Sequence, residues 1–343
     1  MSAMGSDVGE RRTTRGRVRL AGFVGVVVAL VGVSAASLFV GAQDIDAATV
    51  WRLVWHDDGS EFAYIVRELR LPRTVLGLVV GLGLGLAGAL MQALTRNPLA
   101  DPGLLGVEIG ASSAVVVAIS FFGVTTPSGY VWFALLGAAI TSVVVYALGA
   151  GGRAGPDRVV LAGAALTAAL TAFVGIVLLV DADTFDRYRY WVIGSLASRD
   201  MGVFWEVSPF IGTGALIALA LGHPLNALAL GEETGRALGA RIGEVRIAGA
   251  LAVTLLCGAA TAAVGPIGFV GLAIPHIARM VTGPDYRWIL PYSAALAPVL
   301  VVGADVLGRI LGAPGELQVG VVMAFLGAPV FIALARRRRI AQL

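Results

Sequence analysis

Two residues that could do chemistry, His276 and Cys257, lie within apolar stretches of the chain. A histidine in such a place can relay protons or bind a metal. A metal site needs several converging ligands, however, and the other two histidines, His56 and His223, are distant in sequence. We therefore predict that His276 is a hydrogen-bonded structural residue and that the chain has no metal site. As a lone cysteine, Cys257 forms no intrachain disulfide and is expected to be a small buried hydrophobic residue.

Lysine is absent, since all 25 basic residues are arginine. A phosphate-binding loop of the Walker type and a Schiff base both need a lysine, so neither is predicted in this chain. The sequence also shows no paired acids and no nucleophile beside a base within its apolar segments, which argues against an intramembrane enzyme. We predict no catalytic residues.

The composition is typical of a membrane protein. Hydrophobic residues make up 57% of the 343 residues and charged residues 14%, with a mean hydropathy of +0.86, whereas soluble domains carry about 25% charged residues. The net charge of +3 comes from arginines in short segments between apolar runs, so no nucleic-acid partner is predicted. Ten apolar runs are candidate membrane spans: about 20–42, 74–94, 104–124, 127–149, 159–180, 203–222, 247–265, 267–282, 288–308 and 318–335. Proline and glycine interrupt the eighth, as in broken membrane helices.

Ten spans place both termini on one side of the membrane, and arginine-rich ends assign that side to the cytoplasm. We predict a basic cytoplasmic tail at 1–19, a single ten-helix transmembrane domain at 20–335 with a cytoplasmic loop at 223–246, and a basic cytoplasmic tail at 336–343. One outer segment contradicts the positive-inside rule because it holds four arginines, namely Arg52, Arg67, Arg70 and Arg73. Their concentration indicates a function.

The second run, Thr74–Leu94, is predicted to be the central helix. At about 1.5 Å per residue it spans the ~30 Å hydrocarbon core. Its glycines recur at every fourth position or nearly so, which places them near one helix face and allows another backbone to approach closely. These glycines are Gly77, Gly81, Gly85 and Gly88.

Two polar segments interrupt the second half of the chain. The first, Asp181–Asp200, is predicted to be an outer loop in which Tyr188, Tyr190 and Trp191 anchor the membrane interface. The second, at 223–246, alternates short amphipathic stretches with glycines, which indicates a folded cytoplasmic loop with a function.

Several motifs, in this order, together resemble the permease subunit of type II ATP-binding-cassette (ABC) importers. They are RLPR at 70–73, GALMQAL at 88–94, RNPLADPGLLG at 96–106, WVIGSL at 191–196, LGEETGRALG at 230–239, GPIGFVGLAIPHIAR at 265–279, ADVLGRIL at 304–311 and ELQVGVVMAFLGAPVF at 316–331. The motifs extend over nearly the whole chain, and their order and spacing make the resemblance specific.

The resemblance implies a multi-pass protein of the bacterial cytoplasmic membrane that imports ferric siderophores, haem or cobalamin. It implies a second permease subunit, identical or paralogous, two cytoplasmic ATPase subunits that bind ATP and Mg, and an extracytoplasmic substrate-binding protein. A chain without lysine fits this division of labour, since a separate polypeptide must handle ATP. This chain is expected to bind no cofactor and to contact lipid.

The resemblance also implies roles for particular residues. Arg70, Arg73 and Arg309 match arginines that face glutamates of the binding protein, and guanidinium forks suit carboxylates. The alternative is that they anchor helix ends at the headgroups. The turn Asn97, Pro98 and Leu99 matches the cytoplasmic gate, with simple helix termination as an equal alternative.

Residues of the LGEETGRALG motif match the family's coupling helices, which contact the ATPase. They are Leu230, Gly231, Glu232, Glu233, Arg236, Ala237, Leu238 and Gly239. The alternative is an ordinary solvated loop, although its agreement with the motif favours coupling.

Four further polar residues have local interpretations. Asp305 lies four residues before Arg309, so we predict a pair that positions that arginine. Glu108 departs from the small polar residue usual in its motif and is assigned no transport role. Gln92 and the serines Ser112 and Ser113 either line the pathway or join helices by hydrogen bonds.

We therefore expect the permease subunit of an ATP-driven importer that works by alternating access. A ferric siderophore is the expected ligand, because siderophores are the most frequent ligands in the family that the chain resembles. An ion-coupled secondary transporter is the main alternative. It would need acids near the membrane midplane, where the spans have almost none.

Overall fold

Helices form all the regular structure in the described part of the computed structural model, which comprises residues 3–41, 43–149, 156–237 and 239–336. The elements in chain order are α1 (Ala3–Phe39), α2 (Ala47–Trp55), α3 (Glu61–Tyr64), a π-helix (Ile65–Arg70), α4 (Leu71–Thr95), a 3-10 helix (Pro102–Leu105), α5 (Val107–Phe122), α6 (Pro127–Gly149), α7 (Pro156–Val180), α8 (Ala182–Val192), α9 (Met201–Ala220), α10 (Gly222–Ala229), α11 (Glu232–Ala237), α12 (Ile242–Val264), α13 (Val270–Thr282), α14 (Tyr286–Leu311) and α15 (Val319–Arg336).

Ten of these helices are apolar and overlap the ten predicted spans. Seven are long and apolar enough to cross a membrane, namely α1, the helix continuous from α3 through α4, α6, α7, α9, α12 and α14. The shorter apolar helices are α5, α13 and α15. The predicted all-helical polytopic fold is thus confirmed. The eighth span is shortened rather than interrupted, because residues 265–269 are not helical and α13 then runs unbroken from Val270 to Thr282 through Gly271 and Pro275.

Helix α4 lies at the centre of the bundle, and most of its side chains are buried. It packs against α14 and α13 with one part of its surface and against α12 and α9 with another. Neighbouring pairs show that α14 runs antiparallel to α4, since Gly77 lies beside Val302 and Gly85 beside Ser293. The start of α14 is therefore at the same end of the bundle as the end of α4.

Four of the five glycines of α4, Gly77, Gly81, Gly85 and Gly88, lie on its contacts with neighbouring helices. A Cβ atom added at Gly81 would lie 2.5 Å from the Cα of Pro298 in α14, and one at Gly85 would lie 2.5 Å from the Cβ of Ala297. At Gly88 the added atom would collide with the backbone of Gly271 in α13. At Gly77 it would meet only side chains, at 3.0 Å or more. Small residues allow this approach of backbones within the membrane.

The segment predicted as an outer loop with interface anchors is different in the structure. Residues 182–192 form helix α8, whose N-cap is Asp181, because the Asp181 carboxylate accepts from the backbone N–H of Thr184. Tyr188 and Trp191 are buried with their ring centroids 6.1 Å apart, whereas Tyr190 is exposed. The anchor role is therefore wrong for Tyr188 and Trp191, because α8 packs against α5 and α7 and turns these two rings inward.

The predicted tails lie partly outside the described residues. Residues 3–19 continue directly into the first span as one helix, α1. Of the predicted C-terminal tail, only Arg336 lies among the described residues, at the end of α15.

Candidate functional site

The arginines predicted to face a partner form one buried cluster. Arg70 ends the π-helix, Arg73 lies in the first turn of α4 and Arg309 lies in the last turn of α14, with exposed fractions of 5%, 9% and 3%. Because α4 and α14 are antiparallel, the start of α4 and the end of α14 lie at the same end of the bundle. The three arginines therefore come together there. We call this end of the bundle the outer end and the opposite end the inner end.

Asp305 is the central anion of this cluster. Arg73 donates to both of its carboxylate oxygens, from Nε at 2.9 and 3.0 Å and from Nη2 at 2.8 Å. Arg309 donates from Nη2 to Oδ2 at 2.8 Å, which confirms the predicted pair four residues apart. Asp305 is only 1% exposed. Paired geometry of this kind offsets the cost of burying the charges.

Two of the arginines also bind the last turn of α1. Arg70 donates to the carbonyl oxygens of Leu38 and Phe39 at 2.9 and 3.1 Å. Arg309 donates to the carbonyl oxygens of Ser37 and Val40 at 2.8 and 2.7 Å. The last carbonyls of a helix lack partners within the helix and carry partial negative charge, so guanidinium groups stabilise this end. The cluster thus fastens α1, α4 and α14 together at the outer end.

Glu316, which the sequence interpretation did not select, completes the cluster. Its Oε2 accepts from Arg73 Nη1 at 2.6 Å, and its side chain is 33% exposed. Asp305 thus pairs with Arg73 and Arg309, Glu316 pairs with Arg73, and Arg309 Nε is buried without a hydrogen-bond partner in the described structure. The guanidinium forks predicted to be open to a partner are therefore occupied by the chain's own groups, and Glu316 is the carboxylate that solvent reaches.

The other two arginines of this outer segment lie apart from the cluster. Arg52 on α2 is exposed, with Asp58 at 3.6 Å. Arg67 donates to the carbonyl oxygen of Val54 at 3.2 Å and fastens the π-helix to α2. Helix α2 was missed from the sequence, although Asp46 followed by an apolar period was a signal of a capped amphipathic helix.

At the inner end, α4 stops at the predicted turn. Arg96 has a left-handed backbone conformation with φ of 50°. The side-chain oxygen of Asn97 accepts from the backbone N–H of Leu99 at 2.9 Å, and its carbonyl accepts from Ala100 at 3.1 Å. This is a regular Asn-Pro turn. Asn97 is exposed, and Pro98 and Leu99 are partly buried.

Gln92 joins helices. Its Nε2 donates to the carbonyl oxygens of Gly271 and Leu272 at 3.3 and 3.2 Å, and its Oε1 accepts from Arg279 at 3.3 Å. The residue is completely buried. Of the two interpretations offered from the sequence, the structure supports the one in which Gln92 binds α4 to α13.

The remaining residues considered from the sequence are dispersed. Ser112 and Ser113 are buried on α5, and Ser113 donates to the carbonyl of Ile109 one turn earlier. Cys257 is buried on α12, as expected. His276 is partly buried on α13. Among the described residues, no three His, Cys, Asp or Glu side chains are grouped so as to hold a metal ion.

The predicted coupling residues comprise one short helix, α11, and residues of the turns on either side of it, at the inner end. Leu230, at the junction of α10 and α11, is exposed, as are Glu233 and Arg236 on α11. Glu232 accepts from Arg236 at 3.3 Å and from Arg246 in the first turns of α12 at 2.5 Å. Leu238 lies outside the described residues. The segment thus presents an apolar residue beside both signs of charge.

A polytopic helical bundle with this order of helices has the fold of a type II ABC importer permease. A solved structure described as an inward-facing, metal-chelate type ABC transporter superposes with a TM-score of 0.79 and 26% sequence identity, covering 91% of this chain and 98% of that chain. The ferric enterobactin permease of Escherichia coli is 45% identical over 317 residues, 92% of this chain and 94% of the relative. The hemin permease of Yersinia pestis is 34% identical, covering 94% and 98%.

The model of the FecCD transport family matches residues 25–337, and the chain belongs to that family. It is a permease subunit of an ABC importer in a bacterial inner membrane, and a separate ATPase hydrolyses the ATP. Family membership decides against the secondary transporter and the intramembrane enzyme considered from the sequence. It also implies ATPase and substrate-binding partners.

Proposed function

We propose that this permease moves a ferric siderophore across the cytoplasmic membrane by alternating access. The observation that carries the proposal is the 45% identity to the ferric enterobactin permease over almost the whole chain. An Fe(3+)-citrate permease of Bacillus subtilis at 38% identity adds a second ferric chelate. Haem is the second candidate ligand, because of the hemin permease at 34%.

Reconstitution tests this function. The permease, its ATPase and its binding protein are placed in proteoliposomes with ATP inside, and uptake of radioactive iron is followed as ferric enterobactin, as haem and as free Fe³⁺. Uptake of the siderophore that needs both partners and ATP is expected. Uptake that persists without the ATPase, or that follows a proton gradient, would contradict the proposal. Preferential uptake of haem would replace the siderophore by the second candidate.

We propose the following assembly and orientation. Two permease subunits, identical or paralogous, assemble with two ATPase subunits at the inner end and one binding protein at the outer end. The tails at 1–19 and 336–343 and the loop at 223–246 lie in the cytoplasm, and the bundle at 20–335 forms one transmembrane domain. Arginine-rich ends support this orientation.

For the outer end, we propose that Arg70, Arg73 and Arg309 receive a carboxylate of the binding protein. Arg309 Nε is buried there without a hydrogen-bond partner, and Arg73 Nη1 is bound by the partly exposed Glu316, which a partner's carboxylate can replace. Because all three arginines are buried, the incoming carboxylate has to reach Arg73 where Glu316 now binds it. Glu316 therefore competes with the partner.

For the inner end, we propose that Leu230, Glu233 and Arg236 lie against the ATPase and that the neighbouring residues of 230–239 shape the same surface. Exposure of an apolar residue between charges supports this role. A permease that keeps its ATPase subunits after Leu230→Asp would contradict it.

The gate is a further proposal. We propose that Leu99, held by the turn of Asn97 and Pro98, closes the inner end of the pathway against its counterpart in the second subunit. In a Cys257→Ser background, Leu99→Cys is expected to form a disulfide across the two permeases without ATP and to lose it when ATP and the binding protein open the inner end. A control, His223→Cys at an exposed position of α10, is expected to form none. The same extent of cross-linking at both positions and in both states would exclude Leu99 from the gate.

A further inference from the structure

A polar cluster at the inner end surrounds Asp285, in the turn between α13 and α14. Its carboxylate caps α14 by accepting from the backbone N–H of Arg287 at 3.1 Å, and it also accepts from the guanidinium of Arg287 at 2.8 to 3.2 Å. Arg19 of α1 lies at 3.8 Å and donates to the carbonyl oxygen of Thr282 at 2.5 Å. The carboxylate therefore lies where α1, α13 and α14 meet.

Helix α10 reaches this cluster through Asn226. The amide Nδ2 donates to Asp285 Oδ1 at 2.7 Å, and the amide oxygen accepts from the backbone N–H of Tyr286 at 2.8 Å. Leu225 and Leu228 on either side of Asn226 are fully buried. The amide thus uses its donor and its acceptor on the first turn of α14, while its neighbours hold α10 against the bundle.

A second polar link connects α11 to α12. Glu232 binds Arg246 of α12, as described above. Helices α12 and α14 both pack against α4, since a Cβ at Gly249 of α12 would meet Leu94 at 2.8 Å and α14 contacts Gly81 of α4. The short helices α10 and α11 are therefore bonded to the inner ends of α14 and α12, respectively.

Helix α14 continues from the Asp285 turn to the arginine cluster. It is helical over 26 residues, and Asp285 and Asp305 are about 30 Å apart along it at 1.5 Å per residue. One end thus carries the bonds to α10 and the other carries Asp305 and Arg309. A movement of the first turn of α14 therefore moves the same helix that carries Asp305 and Arg309 of the outer cluster.

We propose that Asn226 and Asp285 form the joint that transmits movement of α10 and α11 to α14. The proposal rests on the proposed role of residues 230–239 as the ATPase contact and assigns the bond through which that contact acts. Asn226 is a positioning residue, since it touches neither ATP nor the transported ligand. Hydrogen bonds from Arg287 and from Asn226 hold the pKa of Asp285 well below its usual range, so the joint keeps its charge at physiological pH.

The test uses the complete transporter in proteoliposomes and measures ligand imported per ATP hydrolysed. Asn226→Ala removes both hydrogen bonds to α14, and uptake per ATP is expected to fall about tenfold, within the range of typical coupling free energies. For Asn226→Asp, uptake per ATP is expected to fall further, because this substitution places two carboxylates face to face. His223→Ala, on an exposed position of the same helix, is the matched control and is expected to leave the ratio unchanged.

A reciprocal pair of substitutions separates transmission from simple loss of structure. Asn226→Asp together with Asp285→Asn again places a donor opposite an acceptor and still accepts from the Tyr286 N–H. This double variant is expected to raise the ratio above that of Asn226→Asp, and to recover it only in part, because the amide nitrogen that replaces Oδ1 no longer accepts from Arg287. Wild-type coupling in both single Asn226 variants, or a double variant that assembles fully and stays as uncoupled as Asn226→Asp, overturns the joint.

ATPase co-purification distinguishes this result from failure of the underlying function. The Asn226 variants are expected to keep their ATPase subunits and basal ATP hydrolysis, whereas Leu230→Asp is expected to lose them. If Leu230→Asp keeps them, the ATPase contact is placed wrongly, and the ratio measured for Asn226 still decides whether α10 transmits.

Discussion

Replacing Gly88 with alanine is expected to destabilise the permease severely. The added Cβ would collide with the backbone of Gly271 in α13, where no side chain can rotate away. Overpacking of a core typically costs about 1–3 kcal/mol, and a clash of a Cβ with a neighbouring backbone falls at the upper end or above it. We expect a large fall in the thermal midpoint of the purified protein and in its yield from membranes.

The other glycines of α4 give a graded series. Gly77→Ala is expected to be mild, because the added atom meets only the side chains of Val302 and Leu196 at 3.0 and 3.1 Å. Gly81→Ala should be intermediate or severe, because it meets the backbone of Pro298. Gly175→Ala in α7 is the control, since nothing lies within 4 Å of its added Cβ and alanine favours a helix by up to about 1 kcal/mol. Equal midpoints for the Gly88 and Gly175 variants would show that the α4–α13 contact is looser than described.

The central helix could be predicted because its signal is local. A run of apolar residues long enough for the bilayer and glycines near every fourth position both lie in one stretch of sequence, and the helix that results, α4, has those glycines on its contacts with α13 and α14. The pair Asp305 and Arg309 was equally accessible, because four residues along a helix bring side chains together.

The partners of distant residues could not be predicted in this way. Arg73 lies 232 residues from Asp305, and Asn226 lies 59 from Asp285. Nothing in the local pattern shows that antiparallel packing of α4 and α14 joins the first pair. The arginines were therefore expected to be open to a partner, and only the fold shows their guanidinium groups occupied.

Helix α8 shows a different limit. Its charged residues alternate with aromatic ones, and the segment has a polar average that is typical of a loop. Tyr188 and Trp191 become buried only because α5 and α7 lie beside α8. Burial of aromatic residues in a polar segment depends on neighbours from elsewhere in the chain, so it is a tertiary property.

Removing the charge of Asp305 is expected to be the most damaging single change at the outer end. Asp305→Asn leaves Arg73 and Arg309 buried without the carboxylate that they share. Breaking a buried ion pair typically costs about 3–5 kcal/mol, because an uncompensated charge remains. We expect a thermal midpoint well below that of the wild type. Arg52→Ala, at an exposed ion pair worth about 0–1 kcal/mol, is the control and should leave the midpoint unchanged.

Glu316→Gln distinguishes the structural role of the cluster from its proposed role in docking. Since Glu316 is partly exposed, loss of its charge should change stability little, but it removes the carboxylate that pairs with Nη1 of Arg73 and raises the positive charge that an approaching carboxylate meets. Association with the binding protein is then expected to become tighter, and more so at low salt, because electrostatic attraction is screened as ionic strength rises. If the cluster only fastened α1, α4 and α14, the same substitution would leave association unchanged or weaken it. The sign of the change in affinity, measured against salt with Arg52→Ala beside it, therefore decides whether Glu316 competes with the binding protein for Arg73.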